Sequence, residues 1–317
     1  MDIEISIARF DDALNSAVYG VAELANIANG VAALLGKETS FTCETIDFAA
    51  GAMPEHSAIG DVLFLPPIAQ GPGCEAQMLE THAHIIEWLK TYKAPDKTVC
   101  ASCTAVLLLA EAGLLNSCRA TTTWWLIKYI VERYPSIDVQ ENSMLVADKS
   151  IITSSGPYSY IYIVLQLVEQ FLGPDASALC AKIAVVEPGR PVNGVFAVPS
   201  LFAQPDPLLT RAQELIARDL ANGVTVCSLA QELGLSERTF HRRVKELAGM
   251  SPIQMIAATR IEVAKTLLET SSKPIATISR LVGFEEVSSL RSAFSKTVGM
   301  TPSAYRARMN PKSTANF

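Results

Sequence analysis

The chain has 317 residues, of which 49% are hydrophobic and 18% are charged, and its net charge at pH 7 is -6. This length exceeds what one hydrophobic core usually serves, so we expect two domains. The acidic total argues against a nucleic-acid partner for a single-domain protein, but residues 1–207 hold 11 Lys and Arg against 23 Asp and Glu, whereas residues 208–317 hold 15 against 9. A basic C-terminal part on an acidic body is therefore predicted.

The N-terminal part alternates apolar, strand-like segments with helix-like ones, which is typical of an α/β fold. The predicted strands are residues 3–8, 41–48, 61–65 and 98–103, and the predicted helices are residues 18–35 and 104–111. Cys103 lies where the fourth strand runs into a helix. Because open α/β sheets form their pockets at the carboxyl edge of the strands, Cys103 is a candidate pocket residue.

Residues 188–207 contain seven prolines and glycines, which make a sustained helix or strand improbable. We interpret this stretch as a linker. The predicted domains are therefore residues 1–187 and 208–317.

Two phrases fifty residues apart, GMSP at 249–252 and GMTP at 299–302, indicate that the C-terminal part is built twice. Counted back from each phrase, apolar residues coincide in pairs, and a turn glycine recurs with an offset of 49, so that the second turn has one extra residue. The pairs are Phe240 with Leu290, Val244 with Phe294, and Gly234 with Gly283. Each copy predicts a helix, a glycine-containing turn and a second helix.

The second helix of the first copy, over residues 237–248 with Ser236 as N-cap, is expected to bury Phe240, Val244 and Leu247. A different stripe presents long polar side chains, which suit a DNA groove but also a solvated surface; the repetition favours the groove. These side chains are Arg238, His241, Arg242 and Lys245, and in the second copy Ser288, Ser289, Arg291, Ser292, Ser295 and Lys296.

A further helix is predicted after each copy, because both copies are followed by an N-cap residue and a proline. These residues are Ser251 with Pro252 and Thr301 with Pro302. The helix predicted over 252–269 would be about 27 Å long. That length is of the right order for two recognition helices one DNA turn, about 34 Å, apart.

Residues 208–309 resemble the AraC/XylS family of transcription regulators. The resemblance rests on the segments 229–230, 234–243, 260–268, 275–284, 299–302 and 305–306. It implies a seven-helix module with two helix-turn-helix units that enter adjacent major grooves of double-stranded DNA, in a regulator that commonly activates transcription by RNA polymerase. By resemblance, base-contacting roles fall on Arg238, His241 and Arg242 in the first copy and on Ser288, Ser289 and Arg291 or Ser292 in the second. Thr239, Lys245 and Lys296 complete the predicted DNA-binding set. Family members often carry Arg where Ser292 stands, with Arg291 as the nearby substitute here.

Residues 99–124 resemble the ThiJ/PfpI branch of the class I glutamine amidotransferase-like superfamily, in the form fused to AraC-type modules. The resemblance is carried by residues 103–104, 109–115 and 119–124, and more loosely by Glu23 and 61–66. It implies a flavodoxin-like open sheet. In the catalytic branches a histidine activates the elbow cysteine, but Thr123 stands in its place here and Tyr162 replaces an acidic residue. We therefore expect no enzymatic activity.

The fused family implies that this domain binds a small effector and forms a homodimer, with Glu23, Cys103, Trp124 and Tyr162 lining the pocket. A carboxylate beside an aromatic wall suits an amino acid or a quaternary ammonium compound. Trp124 and Trp125 are expected to open a helix that continues through Ile127, Ile130 and Val131. Two alternatives therefore stay open: Trp124 as a core residue and Glu23 as a solvated helix residue.

Seven scattered cysteines argue against a disulfide framework and for a reducing compartment. The N-terminus is too acidic for a signal peptide and no apolar run approaches a membrane span, so a cytoplasmic protein without membrane contact is expected. No metal-ligand spacing is found and no cofactor is predicted. The alternative function is a cysteine-dependent hydrolase or redox sensor fused to a DNA-binding module.

Overall fold

The computed structural model describes residues 1–92, 96–187, 206–248 and 250–310. The chain divides into two compact units, residues 1–193 and 194–317. Most of the predicted linker, residues 188–205, lies outside the described residues, and the predicted domain limits stay a prediction. Of its last two residues, Asp206 caps and Pro207 begins the first helix of the second unit.

The first unit is built on a six-stranded sheet in the order β2-β1-β3-β4-β8-β7. All neighbouring strands are parallel except β7, which pairs antiparallel with β8. The strands are β1 (Asp2–Arg9), β2 (Ser40–Asp47), β3 (Val62–Leu65), β4 (Thr98–Ser102), β5 (Arg119–Ala120), β6 (Asp138–Val139), β7 (Leu145–Asp148) and β8 (Ile151–Ser154). The short strands β5 and β6 form a separate parallel pair.

Helices cover both faces of the sheet. They are α1 (Asn15–Leu34), α2 (Glu75–Thr81), α3 (Ala83–Thr91), α4 (Val106–Glu111), α5 (Ile127–Arg133), α6 (Tyr160–Leu172) and α7 (Pro174–Ile183). Along β3, Val62 and Phe64 pack in one core with α1, α6 and α7, whereas Leu63 and Leu65 pack in the other with α2, α3 and α4. Since successive side chains of a strand point to opposite faces, one central strand serves both cores. The predicted open α/β sheet is confirmed.

The sequence expectation that no apolar run approaches a membrane span was wrong for α1. Among the described residues this helix is the one long and apolar enough to cross a bilayer by length and composition, with a mean hydropathy of 1.3. Its buried residues, which include Val18, Val21 and Val31, pack with the sheet, α6 and α7. The apolar character of α1 is therefore that of a helix packed in a core.

Two local predictions near the elbow differ from the structure. The helix expected to begin at Thr104 begins at Val106, because Cys103–Ala105 form a 3₁₀ turn. Trp124 and Trp125 were expected to open the next helix, but they lie in a turn before α5, closed by a hydrogen bond from Leu126 N to Thr123 O of 2.9 Å.

The described part of the second unit is helical, as predicted. Its helices are α8 (Pro207–Asp219), α9 (Val226–Glu232), α10 (Glu237–Ala248), α11 (Pro252–Thr270), α12 (Ile275–Leu281), α13 (Val287–Val298) and α14 (Pro302–Met309). One core joins α8, α9 and α10 to the first half of α11. Helix α11 also contacts α12, α13 and α14. The rings of Phe294 on α13 and Tyr305 on α14 meet edge to face with centroids 5.3 Å apart.

Candidate functional site

The two predicted turns close in the same way. In the first, Gly234 N donates to Gln231 O at 3.0 Å and Leu235 N to Ala230 O at 2.8 Å; in the second, the corresponding bonds run from Gly283 and Phe284 to Arg280 and Ser279 at 3.1 and 2.9 Å. This is the Schellman arrangement, which needs a residue in the left-handed region after the helix. Both glycines have it, with φ of +68° and +79°.

The helices that follow these turns are α10 and α13. The former begins three residues after its glycine and the latter four, which confirms the extra residue in the second turn. Ser236 Oγ accepts a hydrogen bond from Thr239 N at 3.2 Å, as expected of an N-cap. Two helix-turn-helix units are therefore present.

One face of α10 is buried and the opposite face is exposed. Phe240 and Val244 are fully buried, but the third predicted core residue, Leu247, is 43% exposed, because it lies at the edge of the apolar stripe in the last turn of the helix. Arg238, His241, Arg242 and Lys245 are all exposed, as predicted. We name these four residues the α10 row.

Arg242 is held within the α10 row by its own helix. Its Nη1 lies 3.0 Å from Glu246 Oε1, one turn further along, and both side chains are more than half exposed. Such surface pairs contribute only about 0.2–1 kcal/mol, so the guanidinium can exchange this partner for a base or a phosphate at little cost. Thr239 differs from the row, since it is half-buried and its hydroxyl lies 2.8 Å from Ser236 Oγ.

The corresponding face of α13 is polar but carries fewer cations. Leu290, Phe294 and Val298 are buried. The side chains of Ser288, Ser289, Arg291, Ser292 and Lys296 are exposed and that of Ser295 is half-buried.

Both predicted helix starts after the recognition helices are confirmed. Ser251 Oγ accepts from Gln254 N and Thr301 Oγ1 from Ala304 N, each at 3.3 Å, with proline at the first helical position. Gly249, the first residue of the earlier phrase, lies outside the described residues.

In the first unit, Cys103 occupies a strained elbow between β4 and α4. Its φ is +57°, which a side chain rarely adopts, and the residue is only 5% exposed. Burial raises the pKa of the thiol to about 11, although hydrogen bonds with Thr104 and Thr123 oppose the shift. At neutral pH the thiol is therefore protonated and a poor nucleophile.

Threonine hydroxyls make hydrogen bonds around Cys103, and one of them stands at the position where catalytic relatives carry the histidine base. Thr123, at the position expected for a histidine, hydrogen-bonds the Cys103 sulfur. Thr122 Oγ1 donates to Cys103 O at 2.9 Å, and Thr104 Oγ1 both donates to Ile68 O and accepts from Ile68 N. The elbow is thereby tied to the chain that follows β3.

Buried serines beneath the elbow form a network that the sequence interpretation missed. Ser154 Oγ donates to Ser102 Oγ at 3.0 Å, and Ser159 Oγ donates to Ser154 Oγ at 2.9 Å. The network joins the ends of β4 and β8 to the start of α6. The run TSS at 153–155, at the end of an apolar strand, was the available signal.

The four predicted pocket residues lie on different elements. Glu23 is exposed on α1, whereas Trp124 before α5 and Tyr162 on α6 are half-buried and Cys103 is buried at the elbow. Burial raises the pKa of the Tyr160 phenol, and the charge of Glu23 raises it further, so Glu23 acts on the first residue of α6. Tyr160 was not among the predicted residues, and the pocket as a set stays a prediction.

The architecture is that of a two-unit protein in which an α/β unit with a mostly parallel sheet accompanies a helical unit with two helix-turn-helix motifs. Comparison with known proteins agrees. Residues 229–308 match the model of a helix-turn-helix domain, and residues 61–170 match that of the DJ-1/PfpI family.

Three similar proteins are regulators by name. The HTH-type transcriptional regulator CdhR of Pseudomonas aeruginosa is 26% identical over 258 residues, which is 81% of this chain and 75% of that protein. The regulator ArgR of the same species is 26% identical over 61% of this chain and 59% of its own length. A putative AraC-like transcription regulator of Streptomyces antibioticus is 34% identical over 33% of this chain and 35% of its own length.

The chain thus combines an AraC-type helix-turn-helix domain with a DJ-1/PfpI-type domain. It is a DNA-binding transcription regulator.

Proposed function

We propose that this regulator activates transcription by reading its operator mainly through the α10 row, while the DJ-1/PfpI-type unit binds a small effector and forms the homodimer. The target is double-stranded DNA in the cytoplasm, and the bound regulator contacts RNA polymerase. The observation that carries the proposal is the exposed α10 row on a helix whose opposite face buries Phe240 and Val244. Long cationic side chains suit this role, because arginine and lysine hydrogen-bond the edge of guanine in the major groove and also bind phosphates.

The two recognition helices contribute unequally. The α10 row has three cations and a histidine, whereas the exposed face of α13 has two cations among serines. A serine hydroxyl bonds to several bases, but a bidentate arginine distinguishes guanine from the other bases. We therefore assign most of the discrimination to Arg238, His241 and Arg242, and a tuning role to Ser288, Ser289, Arg291 and Ser292.

Replacement of Arg242 by alanine tests this assignment. The full chain is used to select a tight-binding duplex from random-sequence DNA, and affinities for that duplex and for random DNA are then measured by fluorescence anisotropy. Arg242→Ala should lose about 1–3 kcal/mol on the selected duplex and much less on random DNA, because a base contact is lost.

Arg243 provides the matched control. It is exposed on the same helix but lies outside the α10 row, so Arg243→Ala removes the same charge without removing a base contact. It should lower both affinities slightly and equally. Equal losses on selected and random DNA for Arg242→Ala would show that the reading face is misassigned.

The effector is proposed to be an amino acid or a quaternary ammonium compound that binds near Glu23, Cys103, Trp124 and Tyr162. A carboxylate and an aromatic face attract such a cation together. The charge of Glu23 raises the pKa of the Tyr160 phenol, so Tyr160 is a further aromatic group near that carboxylate, in addition to Trp124 and Tyr162.

Isothermal titration calorimetry of the full chain against a panel of amino acids and betaines tests the effector class. A ligand of this class should bind, and Glu23→Gln and Trp124→Ala should each weaken it. Glu44, exposed on β2, gives a control carboxylate, and Glu44→Gln should leave binding unchanged. Binding that neither pocket variant weakens would exclude this pocket.

Hydrolase or redox chemistry at Cys103 is disfavoured by the same geometry. The thiol is buried with a pKa of about 11, and a threonine occupies the position of the base. We propose that the first unit is not an enzyme.

A further inference from the structure

The turn between α12 and α13 lies against the segment that follows α8, in the first half of the helical C-terminal unit. Gly283 has no room for a side chain: a Cβ built on it would overlap the backbone carbonyl oxygen of Leu220. Leu220 belongs to the 3₁₀ turn Leu220–Asn222 that follows α8, and its side chain is buried in the core of the first half. The equivalent glycine of the first turn, Gly234, has nothing within 4 Å of its Cβ position.

Arg260 lies at the same contact. It stands in the middle of α11, and its Nη2 would be 3.1 Å from the Cβ position of Gly283. Its guanidinium carbon lies 5.5 Å from the centre of the Phe284 ring, within the range of a cation–π attraction. Within the described residues, its buried Nε has no hydrogen-bond partner, so hydrogen bonding does not account for its position.

Within the described residues, the first half of this helical unit (α8, α9 and α10) and its second half (α12, α13 and α14) share few other contacts. Helix α11 contacts α8 and α10 on one side of the motif and α12, α13 and α14 on the other, and α12 also meets the 3₁₀ turn after α8. A single shared helix leaves the second half free to tilt about it. A second point of contact away from the helix axis removes that freedom.

We infer that the joint formed by Leu220, Arg260, Gly283 and Phe284 sets the position of α13 relative to α10, with Arg260 as a positioning residue. This inference rests on the proposed reading of DNA by both helices. Binding by both recognition helices at once raises the affinity only when their spacing and phase match the two half-sites. A loosened joint therefore reduces the fraction of molecules that can bind both half-sites. The apparent dissociation constant rises in inverse proportion to that fraction.

The test compares full and half operators with the full chain. The selected duplex is used intact, with its second half-site randomised, and with one base pair inserted between the half-sites; the first half-site is the one whose recognition depends on Arg242. Arg260→Met should weaken binding to the intact duplex about tenfold, leave the half-site duplex unchanged, and reduce the penalty for the inserted base pair. Arg211→Met, which removes an equal charge from the exposed face of α8, should alter none of these differences.

A second variant covers the case in which Arg260→Met folds poorly. Phe284→Leu removes the ring beneath the guanidinium and should give the same pattern. Equal losses on the intact and half-site duplexes, or an unchanged insertion penalty in both variants, would overturn the inference while leaving the proposed function standing. If the wild-type protein does not prefer the selected duplex to random DNA, the proposed function fails, and the inference with it.

Discussion

Gly234 and Gly283 occupy the same position in the two turns but have different surroundings. Both have positive φ, so alanine at either should cost about 1–2 kcal/mol in backbone strain. At Gly283 the added methyl also overlaps the Leu220 carbonyl oxygen, and overpacking adds about 1–3 kcal/mol. Urea unfolding followed by circular dichroism should therefore show a larger loss of unfolding free energy for Gly283→Ala than for Gly234→Ala.

Gly223 supplies the control for this pair. It has a φ of +80° and nothing within 4 Å of its Cβ position, so Gly223→Ala reports the strain alone. Equal losses at Gly223, Gly234 and Gly283 would show that the turn and Leu220 separate without cost in solution.

At Cys103 the sequence predicted the location but not the environment. An apolar strand that runs into a helix is a local pattern, and it identified the elbow. Burial raises the pKa of the Cys103 thiol and hydrogen bonds with Thr104 and Thr123 oppose that rise, whereas the serine network depends on Ser102, Ser154 and Ser159. Except for the adjacent Ser102 and Thr104, these groups are brought to the elbow by tertiary structure, which periodicity does not report.

Among the elements, the helix-turn-helix units were the most predictable part of the chain. Their starts and ends depend on bonds between residues three to five apart, such as those of Ser251 and Gly234, and on apolar spacing within one helix. Predictions failed where the chain leaves such patterns: Leu247 at the end of a stripe, and Trp124 in a turn that local spacing made helical.

The contact between Leu220 and Gly283, which joins the two halves of the helical unit, could not be predicted from the sequence. Leu220 and Gly283 are 63 positions apart in the chain, and neither residue type signals a contact. The copies looked equivalent in sequence at this glycine. Their difference arises because only the second turn meets the segment after α8.

At the scale of the whole molecule, acidic and basic residues are concentrated in different parts of the chain, and this distribution affects its affinity for DNA. The net charge of -6 would repel DNA, yet residues 208–317 alone carry 15 basic against 9 acidic residues. We therefore expect phosphate contacts to be confined to the basic part of the chain and the acidic part to limit non-specific binding to DNA. Affinity should still fall with added salt, because counterions are released where the basic surface meets the phosphates.

A lysine variant in each part of the chain tests whether phosphate contacts are made by the basic part alone, and Lys296 is the choice in the basic part. It is exposed on α13, and as a point charge it suits a phosphate better than a base edge. In full-length protein, Lys296→Ala should make the slope of log affinity against log salt shallower by about 0.9, the value for one lost phosphate contact. Lys182→Ala, which removes another exposed lysine, from α7 in the acidic part, should leave the slope unchanged. A similar change in both variants would mean that the acidic part also lies on the DNA.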